Sequence, residues 1–402
     1  MKVNTKSKTI ENINLQSKSE YYRFGWKYFG PFLYGFTDWL CNGLKKEKVN
    51  RVFFFSRDGY MMKKAFDVMN RNQLIQSQYA YFSRKSIQQA LLWKCDTYEE
   101  SLQYLTWQRF ISLGKLLEYY GFSEEERVGL SKEYNLDLNK DYEYSSLKEN
   151  RGIRNLYEKL KSQIDDKSYI QGIFLKQYIH QIGMDEDCAI VDIGWHGSMQ
   201  YFIEQFMSIN KIKGNICGYY VGIMPQKKIK GKVFGFLYDP SNPKMRKSVL
   251  CALGVYEKLF QSTEGSTYGY QLQDEVVQPI LTSYEYQNDE KFLFAIHDWQ
   301  IAALDYIDQR MKQTTDEEDD FALALPLVKV GKNPSRKVIS LFSFFYIMDG
   351  TKTYFVSQKP WYRYKIKELV HDLSNSPWKT GFMKSVLKIP FPYFTTYRIM
   401  RK

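Results

Sequence analysis

A chain of 402 residues, 44% hydrophobic and 25% charged, can bury a sizeable core in two or three domains and excludes a disordered or fibrous polymer. The formal net charge of +12 favours phosphorylated ligands, polyanions or an anionic membrane face, and no familiar nucleic-acid recognition motif accompanies it, so nucleic acid is not an expected partner. Five cysteines without paired metal spacing exclude a secreted disulfide scaffold and a clear zinc site, and read as reduced structural thiols.

The first twenty residues are polar and lack the apolar core of a signal peptide. Residues 21–44 carry aromatics at helical spacing, interrupted by Gly30-Pro31, and predict a helical pair. Residues 52–55 are continuously apolar, which predicts a short buried strand, followed by a helix over 60–70. Residues 79–82 form a second strand candidate, ending at Ser83-Arg84-Lys85-Ser86. From 97 to 181 the pattern is mainly helical and reads as an insertion or cap.

Strand character returns at 188–191, a helix starts near Met199, and 216–222 is another strand. The helix between these strands predicts a parallel β-α-β unit. Later come a helix at 250–261, a glycine-containing loop at 264–270, a helix at 290–312 and an acidic linker at 314–320. A further helix is expected over 334–347, in which the aromatic stretch 342–348 is too short to cross a bilayer. The fold class is therefore α/β: a Rossmann-like parallel sheet with a helical insertion and a mainly helical C-terminal region. Core segments are expected at 21–96 and 183–249, the insertion at 97–182, and the helical region with its basic end at 250–402.

The chemistry concentrates at strand ends. Ser56-Arg57-Asp58-Gly59-Tyr60 follows the first strand and Asp192-Ile193-Gly194-Trp195-His196-Gly197-Ser198 the later one. Two carboxylates so placed, Asp58 and Asp192, can share a Mg²⁺ ion that neutralises phosphate oxygens. Arg57 offers phosphate contacts or a fork to a structural carboxylate, and Gly59 permits close backbone approach. Ser83, Arg84 and Lys85 either grip phosphate or cap a helix in a basic turn. Gly197 and Ser198 suit an anion-binding turn entering a helix, and Trp195 either meets a sugar or closes the core. His196 is a reserve acid/base, while Glu257 and Glu264 are candidates for orienting or deprotonating an acceptor hydroxyl. Phosphate-loop and nucleophile-elbow patterns are absent.

Phe53-Phe54-Phe55-Ser56-Arg57-Asp58-Gly59-Tyr60, Tyr81-Phe82-Ser83-Arg84-Lys85 and Val191-Asp192-Ile193-Gly194-Trp195-His196-Gly197-Ser198, continued by Glu257, Glu264-Gly265-Ser266 and Gly269-Tyr270, resemble a haloacid-dehalogenase-like family of bacterial capsule and lipopolysaccharide loci. The resemblance implies a phosphatase-type core in which Ser56 stands where the aspartyl nucleophile is usual, Asp58 at the second carboxylate, Ser83 at the hydroxyl motif and Asp192 at the later metal motif. It further implies the phosphoribosyl-5-phosphate transferase branch, with phosphoribosyl pyrophosphate and Mg²⁺ as donor and cofactor and a glycan or lipid-linked glycan as acceptor. A sugar-nucleotide glycosyltransferase, a sugar-phosphate phosphatase and a non-catalytic scaffold of the synthesis complex remain alternatives. The expected location is cytoplasmic, with peripheral contact at the inner membrane face left open by ten Lys or Arg from Lys359 to Lys402 against Glu368 and Asp372.

Overall fold

Four consecutive apolar side chains on a strand point alternately to two faces, so both faces must be covered. That is how residues 52–55 are used. The computed structural model describes residues 15–70, 74–106, 110–313, 319–349 and 351–401. The expectation for the polar start falls largely on 1–14, and that for the acidic linker on 314–318, outside the described residues.

Among the described residues the strands are β1 (Arg51–Phe55), β2 (Gln76–Ala80), β3 (Phe110–Ser112), β4 (Asp141–Glu143), β5 (Cys188–Trp195), β6 (Ile216–Ile223), β7 (Lys232–Gly235), β8 (Thr267–Gln273), β9 (Val276–Leu281), β10 (Tyr346–Asp349) and β11 (Thr351–Tyr354). Five form one sheet in the order β2-β1-β5-β6-β7, and all its pairings are parallel. Val52 pairs with Ala189 and Phe54 with Val191. From β1 the chain builds outward to β2, then returns to the other side of β1 for β5 and builds the opposite way. The reversal lies between β1 and β5, where open α/β sheets place ligands at the carboxyl ends of their strands.

Val52 and Phe54 belong to one core with Phe32, Phe36 and Leu40 of the helix Gly30–Glu47, while Phe53 and Phe55 belong to another. The second core is closed by Leu175 and Ile179 of the helix Arg151–Ile182 and by Phe202 and Phe206 of the helix Ser198–Ile209. Full burial of each such phenylalanine contributes about 1.5–3 kcal/mol. The region between β2 and β5 packs a separate cluster around Leu116, Leu117, Tyr157 and Leu160. It is mainly helical, as expected, with the short antiparallel pair β3–β4 added.

Several details differ from the expectations. Gly30-Pro31 does not interrupt the early helix: the helical run continues through a π turn at Gly25–Phe29 into Gly30–Glu47. The glycines serve close approach, since a Cβ on Gly25 would lie 2.4 Å from the Trp299 carbonyl oxygen and one on Gly30 2.6 Å from Tyr306 Cβ. Strand β2 ends at Ala80, and Phe82 turns back to donate its amide to the Ala80 carbonyl. Of the loop expected at 264–270, residues 264–266 are irregular and 267–270 open the first strand of the antiparallel hairpin β8–β9. The helix expected over 334–347 stops at Leu341, because Phe345 leaves helical pairing and its carbonyl accepts the Phe355 amide. The C-terminal region thus contains two hairpins among its helices. The helix Glu290–Lys312 forms over the expected residues. Among the described residues, no helix is long and apolar enough to cross a membrane, and all five cysteines are free thiols.

Candidate functional site

At the reversal between β1 and β5 the sheet opens into a crevice of about 300 Å³ whose lining includes Ser56, Arg57, Asp58, Ser83, Arg84, Asp192, His196, Glu257 and Thr267. A wider hollow of about 850 Å³ lies at the opposite, amino ends of the strands. Its lining includes the ion pairs Arg51–Glu186 and Lys232–Glu47. The smaller crevice is where three carboxylates, Asp58, Asp192 and Glu257, come together.

Asp58 follows β1 and begins the helix Gly59–Met69, but its side chain makes no capping bond there. Burial pushes its carboxyl well above the usual range, and Glu257 and Asp192 push the same way while Arg57 and Lys258 oppose them. Asp192, near the end of β5, is raised to about 6 by burial, against the amides of Ile193 and Gly194 and the charge of Arg84. Glu257, on the helix Leu253–Phe260, is raised by burial and steadied by the Trp195 indole, whose Nε1 donates to Oε1 at 3.0 Å. Three carboxylates thus share a space that does not readily hold three negative charges.

Beneath them lies a paired layer. Glu285 accepts from Arg57 Nη1 at 2.7 Å and from Lys258 Nζ at 2.6 Å. Burial alone would raise Glu285, but Lys258 and Arg57 bring it down to about 2. Lys258 is itself lowered by burial, with Glu285 opposing. Arg57 is therefore the structural fork of the two readings offered for it, and its charge still acts on Asp58 at short range.

The remaining expected residues divide. Ser56 Oγ donates to the Phe82 carbonyl at 3.1 Å and lies 3.3 Å from Thr267 Oγ1; neither neighbour is a base. Ser83 caps the helix Arg84–Gln89 in a capping box with Ser86 and donates to the Thr267 carbonyl at 2.6 Å. Arg84 is exposed at the crevice wall, and among the described residues no carboxylate pairs with it. Lys85 turns away, over the Tyr268 ring and 3.6 Å from Glu118, where burial lowers it to about 7. Gly59 serves helix–strand contact: a Cβ there would lie 2.8 Å from the Phe54 carbonyl carbon.

Gly194 and Gly197 have φ of +103° and +68°, left-handed conformations that let the chain turn from β5 into the helix Ser198–Ile209. Ser198 lines the crevice at that helix start. The Trp195 ring is buried against Tyr256 and orients Glu257 instead of offering an open sugar platform. His196 stands at the rim, its imidazolium disfavoured by partial burial and by Arg246 and Arg84. Glu264 is not among the crevice lining: it accepts from the Tyr79 hydroxyl at 2.6 Å and from Ser262 Oγ at 3.0 Å. Four participants were not expected: Glu285, Lys258, Thr267 and Gln261, which also lines the crevice.

Mg²⁺ binds oxygen ligands and keeps several waters, so one or two carboxylates with substrate oxygens suffice. Asp58 and Asp192 have the right chemistry, and a bound cation would offset the burial, and the weaker repulsion from Glu257 and Asp192, that raise Asp58. Among the described residues, no three His, Cys, Asp or Glu side chains form a ready-made metal cage. Phosphate and water oxygens would have to complete the shell. No protein-family model matches this chain, and no curated protein matches it.

Proposed function

We propose that this protein is a transferase of bacterial cell-surface polysaccharide synthesis, moving a phosphoribosyl group from phosphoribosyl pyrophosphate to a glycan acceptor. The observation that carries the reading is a crowded carboxylate crevice whose only residue at the phosphatase nucleophile position, Ser56, is committed to the Phe82 carbonyl. A hydroxyl nucleophile needs an adjacent base, and Ser56 has none among its hydrogen-bond partners. Crevice carboxylates without a covalent nucleophile suit transfer between two bound substrates. The choice of donor rests on the family resemblance of the strand-end motifs.

Asp58 and Asp192 would hold Mg²⁺, which when bound supplies positive charge to the donor's phosphates. Arg84 at the crevice wall adds a cation that no protein carboxylate pairs with among the described residues. The Asp58 environment is kept from excess negative charge by Arg57 and Lys258, both locked on Glu285. The bond between anomeric carbon and pyrophosphate breaks, and the electron pair leaves on pyrophosphate. The acceptor oxygen bonds to that carbon, and Glu257, made more basic by burial, takes its proton.

The test is incubation with phosphoribosyl pyrophosphate, Mg²⁺ and lipid-linked glycan acceptors. The expected result is an acceptor gaining one phosphoribosyl mass with equimolar pyrophosphate, lost in Glu257→Gln. Release of inorganic phosphate from sugar phosphates without transfer would favour the phosphatase instead.

A further inference from the structure

Large apolar side chains normally leave water when a domain can cover them, and contiguous exceptions mark interaction surfaces. After β11 the chain makes a short turn at Trp361–Arg363 and then the helix Ile366–Asn375. Trp361 is 62% exposed, Tyr362 67%, Ile366 82% and Val370 60%. Ile366, Val370 and Leu373, at i, i+4 and i+7, share one helix face, of which only Leu373 packs back on the main core. The helix therefore has one apolar stripe, covered by the core at Leu373 and uncovered toward its start at Ile366 and Val370.

Beside the same turn is a cavity of about 480 Å³ that runs past Pro360. Arg336, Lys359, Lys384 and Lys388 line it, and its lining contains no Asp or Glu. Lys359 is paired with Glu368 of the neighbouring helix, and the Lys384 ammonium donates only a 3.2 Å bond to Asn333 Oδ1. The surrounding segment, Lys359 to Lys402, holds ten cations against two carboxylates. Tryptophan and tyrosine at a water boundary, an exposed aliphatic stripe and adjacent unneutralised lysines are the components of an interfacial anchor.

We infer that this face docks on an anionic lipid bilayer, with Trp361, Tyr362, Ile366 and Val370 entering the headgroup–acyl boundary and the basic cavity receiving lipid phosphates. A protein partner would need an acidic surface with an apolar centre, whereas an anionic bilayer supplies both chemistries over any area. The inference is independent of the reaction at the crevice.

The experiment is co-sedimentation of the full chain with vesicles of phosphatidylcholine alone and of phosphatidylcholine with phosphatidylglycerol. Binding is expected only to the anionic vesicles and weakens with salt. Lys384→Gln with Lys388→Gln lowers partitioning about thirtyfold, from the contribution of each cation near an anionic surface. Ile366→Ser with Trp361→Ser lowers it about tenfold or more, while circular dichroism and the thermal midpoint stay unchanged. Full-chain protein remaining in the supernatant overturns the inference, as does equal sedimentation of the variants. Concentration-dependent dimerisation lost in Ile366→Ser, without vesicle binding, would assign the face to a second copy instead.

Discussion

Asp192→Asn should make the protein more stable in the absence of Mg²⁺. The wild-type carboxyl rises from its ordinary 3.8 to about 6 because burial disfavours its charge. Maintaining that charge at neutral pH costs about 3 kcal/mol from the size of the rise, and about 1–2 kcal/mol once water in the open crevice is allowed for. Asparagine retains a side-chain oxygen able to accept the Ile193 and Gly194 amides, so the substitution removes charge with little loss of bonding. The sign follows from linkage: an acid raised in the folded state favours folding below its unfolded value near 3.9, and that contribution is lost as pH rises through about 6. The stabilisation by asparagine should thus be near zero close to pH 4 and fully developed by about pH 7, where melting of a chain this long shifts upward by roughly 1–2 °C. Thermal melts of both proteins across that pH range test it. Adding Mg²⁺ should raise the wild-type midpoint and leave the variant's nearly unmoved. A variant less stable than wild type at neutral pH, or equally stabilised at all pH values, would refute the claim that Asp192 is held charged at a cost.

Glu285→Gln leaves Arg57 and Lys258 buried without their shared carboxylate, and should destabilise the protein by about 3–5 kcal/mol in denaturant titrations. A loss below about 1 kcal/mol would mean that the pair is largely hydrated. Trp195→Phe removes the indole donor that steadies ionised Glu257, so the acidic limb of the transfer-rate profile should move to higher pH. An unchanged limb would remove Glu257 from the role of base. Ser56→Ala deletes only bonds to Phe82 and Thr267, and transfer should persist within about tenfold. Complete loss of turnover would restore Ser56 as a reacting group.

The strands that build the site were legible because β1 and the first half of β5 are continuous apolar runs, each ending in a carboxylate and glycine. Such runs make sense only in a sheet covered on both faces. The hairpin β8–β9 was hidden because Leu272 and Val276 are exposed and its strands mix polar and apolar residues without clear alternation. Glu285 was hidden for a different reason: it meets Arg57 across 228 residues of chain, and its local sequence has no feature of a site. Glu264 misled in the opposite direction. Its small-residue turn looks free for catalysis, but Tyr79 at the sheet edge reaches over and takes its carboxylate. Lys85 shows the same limit, since only the fold places Tyr268 and Glu118 where they draw it away from Arg84.

The heart of the proposed function is the joint binding of a phosphorylated donor and Mg²⁺ by Asp58 and Asp192. Its most direct test is calorimetric titration of phosphoribosyl pyrophosphate into the purified protein with and without Mg²⁺, using Asp58→Asn as the site control. Saturable binding that requires Mg²⁺ and is weakened at least about tenfold by the substitution is expected. Folded wild-type protein that binds no phosphoribosyl pyrophosphate, or binds it equally well without Mg²⁺ and without the Asp58 carboxylate, would contradict it.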